Sequence, residues 1–266
     1  MAERWWVEEE HRAALEARAP LDVAAWMQPA ADRRVLSSDR QSAAVLWDGD
    51  APLLVKWRAP IPGRKAKTLL RPSRERAEAD AMRAARKLGI PCPPAMAVGE
   101  RRSLGVLEGS VMIRAFDPGA RTVDEAVLEH PQVHVRVAEA LRRWHDLGFR
   151  HGDCYPKNVL VGGIEPAARP IGCPKARFVA AGPRIDEARL KDLAQWAAGS
   201  ADASVLGDPF AFLAVYGEPD GLPDYEELVG RITPYFETIL EKKAERLRTR
   251  PEREPEGPPQ PKPLPR

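Results

Sequence analysis

The sequence has few cysteines and no long apolar run. Its three cysteines, Cys92, Cys154 and Cys173, form no even-numbered framework, so they argue against a disulfide-stabilised secreted domain and for a reducing compartment. No stretch approaches the roughly 18 consecutive apolar residues that a membrane span needs. Residues 1–20 contain no apolar segment of the kind found in signal peptides. We therefore expect a cytoplasmic protein.

An excess of charge of one sign is also missing. The formal net charge is only +2, which gives no basis for nucleic-acid binding. The charge is uneven, however, because seven cations stand against one acid, Glu75, in a short run: Arg58, Arg64, Lys65, Lys67, Arg71, Arg74 and Arg76. Such a run is usually a solvated loop. The alternative is a site for an anionic substrate or a membrane surface, which would place the protein peripherally at the inner face of the membrane.

The first half of the chain combines strand signals with one long helix. Residues 3–28 are typical of an amphipathic helix. Residues 43–57 contain two apolar runs around an Asp-Gly-Asp turn, which predicts a β-hairpin. Residues 73–88 are rich in helix formers, with Ser73 as a candidate N-cap. Residues 95–116 predict two or three short strands separated by glycine.

The second half is mainly helical. Residues 131–147 predict a helix with one buried stripe, and further helices are expected at 187–198, 207–216 and 224–248. The last sixteen residues, 251–266, contain seven prolines and are expected to be disordered. A domain that recognises proline-rich segments is the alternative partner for this otherwise solvated tail.

The order of these elements predicts an α+β protein of two lobes, with a β-sheet-rich first lobe that contains one long helix and a mainly helical second lobe. The expected divisions are an N-terminal helical extension at 1–34, a first lobe at 35–116, a second lobe at 117–248 and a proline-rich tail at 249–266.

The stretch FRHGDCYPKNVLV, residues 149–161, has the pattern of a phosphotransfer loop. It has the form His-x-Asp-x-x-x-x-Asn. Asp153 can accept the proton of an acceptor hydroxyl, and Asn158 can offer its side-chain oxygen to Mg²⁺. His151 is expected to pack under the loop and fix its path. A plain polar turn is the alternative, but the preceding helix, which ends in LRRWHDLGF, favours the catalytic interpretation.

These segments resemble the protein-kinase-like superfamily, in the branch that acts on sugars and small molecules. The run of LLVKWRA, RAEADAMRAARKLGIPCPPAMAVGERR, HGDCYPKN and RLKDLAQW, in that order and spacing, resembles the lipopolysaccharide kinase (Kdo/WaaP) family over residues 35–216. The resemblance implies a bilobal protein-kinase-like fold. It also implies transfer of phosphate from ATP to a sugar hydroxyl, with Mg²⁺ or Mn²⁺ as the metal.

The resemblance assigns four principal roles. Lys56 matches the strand lysine that holds the α- and β-phosphates of ATP. Glu78 matches its partner on the following helix, and Glu75, about one turn earlier, is the alternative. Asp153 takes the position of the catalytic base, and Asn158 takes that of a metal ligand.

Supporting roles follow from the same resemblance. Lys157 matches the position of an arginine that approaches the transferred phosphate in tyrosine kinases, although a solvated lysine is the alternative. Asp192 matches the helix residue that braces the loop backbone, so Asp192 and His151 are expected to be structural supports. His145 is expected to be a packing residue and neither an acid nor a base.

Two features depart from the family pattern. A glycine-rich phosphate loop is missing, and the segment SSDRQS offers only these plausible phosphate contacts: Ser37, Ser38, Arg40 and Ser42. In addition, the string PIGCPKAR places Gly172 where the family carries a metal-binding aspartate. The nearest carboxylates in sequence are Glu165 and Asp186, and either could substitute only if the loop takes another path.

We therefore expect an ATP-dependent kinase that phosphorylates a sugar hydroxyl of a lipopolysaccharide-core-like glycolipid. Its partners would be a nucleotide and a sugar or glycolipid, with no nucleic acid. One alternative is a pseudokinase that binds nucleotide or acts as a scaffold, because Gly172 offers no metal ligand. A second alternative is a small-molecule phosphotransferase of the antibiotic- or choline-kinase type, which the loop alone would also fit.

Overall fold

A computed structural model describes residues 2–28, 33–38, 42–60, 65–130, 132–163, 167–202, 208–217 and 222–249. The described residues form two compact units, the first from residues up to 83 together with 93–117, and the second from 84–92 together with the residues from 118 onward. The α+β class predicted from the sequence is confirmed. None of the described helices is both long enough and apolar enough to cross a bilayer.

The helices are α1 (Glu9–Glu16), α2 (Val23–Met27), α3 (Arg74–Lys87), α4 (Val123–Ala126), α5 (Val133–Asp146), α6 (Glu187–Asp202), α7 (Phe212–Gly217) and α8 (Tyr225–Arg248). The strands are β1 (Ala2–Val7), β2 (Arg33–Ser38), β3 (Ser42–Trp47), β4 (Leu53–Arg58), β5 (Ala95–Ser103), β6 (Val106–Ala115), β7 (Ala120–Thr122), β8 (Phe149–Arg150), β9 (Val159–Gly162), β10 (Arg169–Pro170) and β11 (Arg177–Phe178).

The first unit is built on a six-stranded antiparallel sheet in the order β1-β5-β6-β4-β3-β2. Successive side chains of a strand point to opposite faces, and β6 shows this clearly. Val111 and Ile113 pack with Trp26 of α2 on one face, whereas Met112 packs with Ala79 of α3 on the other. Both faces of the sheet are therefore covered by helices of the same unit.

The same alternation places Lys56 on the α3 side of the sheet. Val55 belongs to the cluster around Trp26, so the next residue of β4 points to the opposite face. Lys56 lies opposite Met112 of β6 in the register of the two strands. A charged side chain is thus directed toward α3 from the middle of the sheet.

The N-terminal segment differs from the prediction. The helix expected over residues 3–28 and the helical extension expected at 1–34 are wrong at their start, because Ala2–Val7 is a strand that pairs with β5. The alternation of Trp5, Trp6 and Val7 explains the strand, since Trp5 and Val7 pack toward the Trp26 cluster and Trp6 packs toward Ala79. These residues are part of the first unit and its core.

Other predicted elements of the first unit are confirmed. The hairpin expected at 43–57 is the β3–β4 pair. The helix expected at 73–88 is α3, and its N-cap is formed as predicted, because the Ser73 hydroxyl oxygen accepts a hydrogen bond from the Arg76 N–H at 3.0 Å.

The second unit is mainly helical, as expected. α5 and α6 supply many of its buried apolar side chains, which include Leu141 and Trp144 of α5 and Leu193 and Trp196 of α6. Short strands form the pairs β8–β11, β9–β10 and β7–β9. The loop of the His-x-Asp motif runs from β8 to β9. The helix expected at 207–216 is shorter in the described residues (α7), and residues 250–266 of the proline-rich tail lie outside them.

Candidate active site

Lys56 and Glu78 form a close ion pair within the first unit. The Lys56 Nζ atom donates to both carboxylate oxygens of Glu78, at 2.8 Å to Oε1 and 2.6 Å to Oε2. Glu78 is only 2% exposed, whereas the side chain of Lys56 remains 28% exposed. A buried carboxylate that holds a partly exposed ammonium group fixes the cation's position while leaving one side of it accessible.

The alternative partner, Glu75, has a different contact. Its Oε1 accepts from Arg58 Nε at 3.2 Å, and its Oε2 accepts from the Ser110 hydroxyl at 2.6 Å. The structure therefore brings Lys56 together with Glu78 and leaves Glu75 to support Arg58.

The loop backbone of the second unit is held by α6. Asp192 accepts hydrogen bonds from the backbone N–H of His151 at 2.6 Å and from that of Gly152 at 2.8 Å. Gln195, one turn later on the same helix face, accepts from the N–H of Cys154 at 2.6 Å. Three loop N–H groups are thereby paired with one helix. The sequence predicted that Asp192 holds the loop backbone, but it did not predict the same role for Gln195. The only indication in the sequence is that Gln195 lies three residues after Asp192 on the same helix.

His151 lies beneath the loop as a neutral ring. Its Nδ1 accepts from the backbone N–H of Asp153 at 3.3 Å, so its Nε2 carries the proton and donates to the Ile171 carbonyl at 3.0 Å. Burial lowers the pKa of His151, which is consistent with this uncharged form. The ring connects the loop at 151–158 to the segment just before Gly172.

His145 is a fully paired buried ring. Its Nδ1 lies 2.7 Å from the Tyr216 hydroxyl, and its Nε2 lies 3.3 Å from Asp192 Oδ2. Burial, reinforced by the nearby cations Arg189 and Arg150, lowers the pKa of His145 well below its usual value. Burial also raises the pKa of Asp192 to about 6. The packing role expected for His145 agrees with these contacts.

The neutral histidines give the stability of the second unit a predictable pH dependence. Below about pH 6.5 the unfolded chain protonates His145 while the native state does not, so stability falls as the pH falls, by about 1.4 kcal/mol per pH unit at the limit. Asp192 has the opposite effect on stability. Its pKa is raised in the native state, so as the pH falls the native state takes up a proton before the unfolded chain does, and this favours the native state.

We therefore expect the melting temperature of His145→Gln to decrease less than that of the wild type when the pH is lowered from about 7 to about 5. The measurement is thermal unfolding followed by circular dichroism across that range. His130→Gln, which changes an exposed histidine of the same unit, is the control and should keep the wild-type slope. An unchanged slope in the His145 variant would contradict the assignment of a neutral buried ring.

Asp153 and Asn158 lie side by side in the loop. The Asn158 amide nitrogen donates to the Asp153 backbone carbonyl at 2.8 Å and lies 3.3 Å from Asp153 Oδ2. Because the nitrogen faces Asp153, the amide oxygen Oδ1 faces the opposite direction, toward Gly172. The two residues expected to supply the base and the metal ligand are therefore brought together, with the asparagine oriented by the aspartate.

Gly172 lies directly against that amide oxygen. A Cβ added at Gly172 would be 2.7 Å from Asn158 Oδ1, and the backbone there has a φ of +64°. The position that the resemblance aligns with a metal-binding aspartate is thus adjacent to Asn158, and the space for a side chain there is filled by the asparagine.

Of the two carboxylates that could substitute at Gly172, Asp186 is paired elsewhere. Asp186 accepts from the guanidinium of buried Arg150 at 2.9 to 3.2 Å, and this pairing helps to lower its pKa despite partial burial. Glu165 lies outside the described residues. Among the described residues, no group of three or more His, Cys, Asp or Glu side chains is arranged to hold a metal ion.

Two other residues of the motif differ in exposure. Lys157 is exposed, with its Nζ 5.8 Å from the centre of the Tyr155 ring. Cys154 is fully buried, and burial raises the pKa of its thiol well above the usual value, which disfavours the thiolate. Of the candidate phosphate contacts before β3, Arg40 lies outside the described residues.

The model of the lipopolysaccharide kinase (Kdo/WaaP) family matches residues 64–169. The solved structure described as "WaaP in complex with acyl carrier protein" matches with a TM-score of 0.56 at 20% identity, covering 92% of this chain and 99% of that chain. A bifunctional kinase-methyltransferase, WbdD, matches with a TM-score of 0.43 at 16% identity, covering 73% of this chain and 42% of that chain. No curated protein sequence matches.

The family match confirms the resemblance inferred from the sequence and supports a kinase, and the WaaP match shows the fold. The matched range contains Glu78, Asp153 and Asn158. Lys56 and Gly172 lie on either side of it.

Proposed function

From this resemblance to the lipopolysaccharide kinase (Kdo/WaaP) family, we propose that the chain is an ATP-dependent kinase that phosphorylates a sugar hydroxyl. The acceptor class is a lipopolysaccharide-core-like glycolipid, and the protein is cytoplasmic or peripheral at the inner face of the membrane. ATP and a divalent ion, Mg²⁺ or Mn²⁺, are the cofactors, and no nucleic acid is involved.

The observation that carries this proposal is the contact between Asn158 and Asp153 on a loop whose backbone is anchored to α6. In the proposed reaction, an acceptor hydroxyl oxygen forms a bond to the γ-phosphorus while the bond to the β-phosphate oxygen breaks. Asp153 receives the proton of that hydroxyl. Because the Asn158 amide holds the carboxylate and Asp192 holds the backbone, the base is positioned before the substrate arrives.

Lys56 is proposed to bind the α- and β-phosphates of ATP. The buried carboxylate of Glu78 holds the ammonium group in place, and the partly exposed side chain of Lys56 can reach a phosphate oxygen. Lys157, at the exposed surface of the loop, is proposed to approach the transferred phosphate as a mobile cation.

The residues present fit a divalent ion only in part. The Asn158 amide oxygen can hold it, but Gly172 adds no side-chain oxygen. Mg²⁺ commonly binds through one or two protein oxygens together with substrate phosphates and water. The ion is therefore proposed to enter with the nucleotide, and its positive charge would offset charge that develops on the phosphates.

The pseudokinase is the second candidate, and Gly172 is the observation that favours it. The test is phosphate transfer from labelled ATP with Mg²⁺ or Mn²⁺, using a Kdo- and heptose-containing glycolipid as acceptor and an aminoglycoside and choline for comparison. Labelled glycolipid supports the proposal. Labelled aminoglycoside or choline alone would assign the chain to the small-molecule phosphotransferases. A nucleotide-induced thermal shift without transfer to any acceptor would establish the pseudokinase.

The Lys56–Glu78 pair provides a separate prediction. Glu78→Gln keeps the shape but removes the negative charge, so the charge-assisted hydrogen bonds weaken and Lys56 is held less firmly. We expect kcat/KM for ATP to fall about tenfold. Glu75→Gln is the matched control, because it changes a buried glutamate of the same helix that holds Arg58, and it should leave ATP kinetics near wild type. The opposite ranking of the two variants would show that the wrong glutamate has been assigned.

A further inference from the structure

We propose that the first unit docks on anionic lipid bilayers through two exposed leucines, Leu70 and Leu104, and the cations beside them. We call this pair the leucine knob. Leu70 is 84% exposed and Leu104 is 98% exposed. Both also have left-handed backbones, with φ of +56° and +49°. Leucine rarely adopts this conformation, which costs about 1–2 kcal/mol for a residue with a side chain.

The leucine knob is held rigidly. Arg102 donates to the carbonyls of Thr68 at 3.2 Å and Gly105 at 2.8 Å, which connects the turn that bears Leu70 with the turn that bears Leu104. The Thr68 hydroxyl accepts from the N–H of Leu107 at 3.0 Å and connects the same two turns again. Apolar side chains that are both strained and exposed on a fixed framework indicate a binding surface, because free loops relax such strain.

The charge around the leucine knob is complementary to anionic lipid. From residue 65 to 76 the sequence carries five cations and one acid. Some of the run is used internally, since Arg76 pairs with Asp80 and Lys65 pairs with Glu108. Lys67 and Arg71 are exposed, and within the described part of the chain no ion pair involves either of them.

A groove of about 770 Å³ in the same unit adds room for a headgroup. Leu70, Leu104, Arg71 and Arg4 are among the residues that line it. Its acids are already engaged, for example Glu100, whose Oε2 lies 2.9 Å from Arg102 Nη2. The remaining cations can therefore face lipid phosphates while the leucines enter the acyl boundary.

A bilayer suits this surface better than an acidic protein does. Protein interfaces centre on pockets that bury a partner's side chains, whereas the Leu70 and Leu104 side chains are themselves almost fully exposed. Exposed apolar side chains with a cationic rim match the layered chemistry of a membrane surface. This proposal is additional to the kinase assignment, because lipid binding can be measured without nucleotide.

The test is co-sedimentation of the full chain with vesicles of phosphatidylcholine, with and without phosphatidylglycerol. We expect binding to the mixed vesicles, and the double variant Leu70→Asn/Leu104→Asn should lower the partition coefficient by at least about tenfold. Asparagine tolerates a left-handed backbone, so the melting temperature of the double variant should not fall. Leu128→Asn, at a 67% exposed leucine of the second unit, is the control and should bind as wild type does.

A second double variant tests the contribution of the two cations, Lys67 and Arg71, beside the leucine knob. Lys67→Ala/Arg71→Ala should lower binding to mixed vesicles by about fivefold for each charge removed, and added salt should shrink the difference. Wild-type binding in the leucine double variant would overturn the proposal. Failure of the wild type to bind mixed vesicles would also overturn it, and capture of an acidic protein in that case would assign the leucine knob to a protein partner. Phosphate transfer to a soluble acceptor, measured separately, distinguishes either failure from failure of the kinase proposal.

Discussion

Asp153→Asn is expected to lower kcat by about 10²–10⁴-fold, the range that a positioned general base contributes. Asparagine keeps the size of the side chain, so the contact with the Asn158 amide can be retained by its oxygen. It cannot accept the proton of an attacking hydroxyl. Binding of ATP should be nearly unchanged, because the loss concerns the transition state.

The measurement is steady-state phosphate transfer together with a nucleotide-induced thermal shift. Asp124→Asn, which alters an exposed aspartate of the same unit, is the matched control and should retain full activity. Wild-type turnover in the Asp153 variant would remove this residue from the catalytic role.

Gly172→Asp is expected to lower activity by about 10²-fold instead of restoring a missing ligand. A side chain at this position would stand 2.7 Å from Asn158 Oδ1, so the asparagine has to move. A displacement of about 1 Å at a positioned group can cost about a hundredfold in rate. Gly172→Ala should show a similar loss, because its Cβ meets the same atom.

Gly89→Ala is the control that distinguishes the contact with Asn158 from the cost of a positive φ. Gly89 also has a positive φ, +76°, but a Cβ there would meet nothing within 4 Å. We expect this control to lose some thermal stability and to keep its activity. If Gly172→Asp exceeded both wild type and Gly172→Ala in turnover with Mg²⁺, the loop would have room for a second ligand. The glycine would then be the cause of weak metal binding.

Local signals were sufficient for most elements of the fold. The β3–β4 hairpin, α3 with its Ser73 cap and the helix before the catalytic loop could all be predicted, because their determinants lie within the segments themselves. The strand at Ala2–Val7 could not, since its partner is β5, about ninety residues away along the chain. The amphipathic pattern of residues 3–28 favoured a helix, and the long-range pairing outweighed that local preference.

In the site, too, features set by local sequence could be predicted and those set by long-range packing could not. Asp153 and Asn158 stand in one recognisable string and Asp192 in another, so their roles could be proposed from the family resemblance. The contact between Gly172 and Asn158 could not be predicted, because it depends on how two loops pack together. Arg150 and Asp186 were equally hidden, since a buried arginine paired with a partly exposed aspartate leaves no periodic signal in sequence.

The pairing of β1 with β5 has a consequence for the order of folding during synthesis. Residues 2–7 are made well before their partners at 97–102, which follow β2, β3, β4 and α3 along the chain. During that interval Trp5 and Trp6 have no sheet to cover them. The β1–β5 pair of the sheet therefore cannot form until residue 102 has left the ribosome, and until then the nascent chain exposes aromatic surface of the kind that chaperones bind.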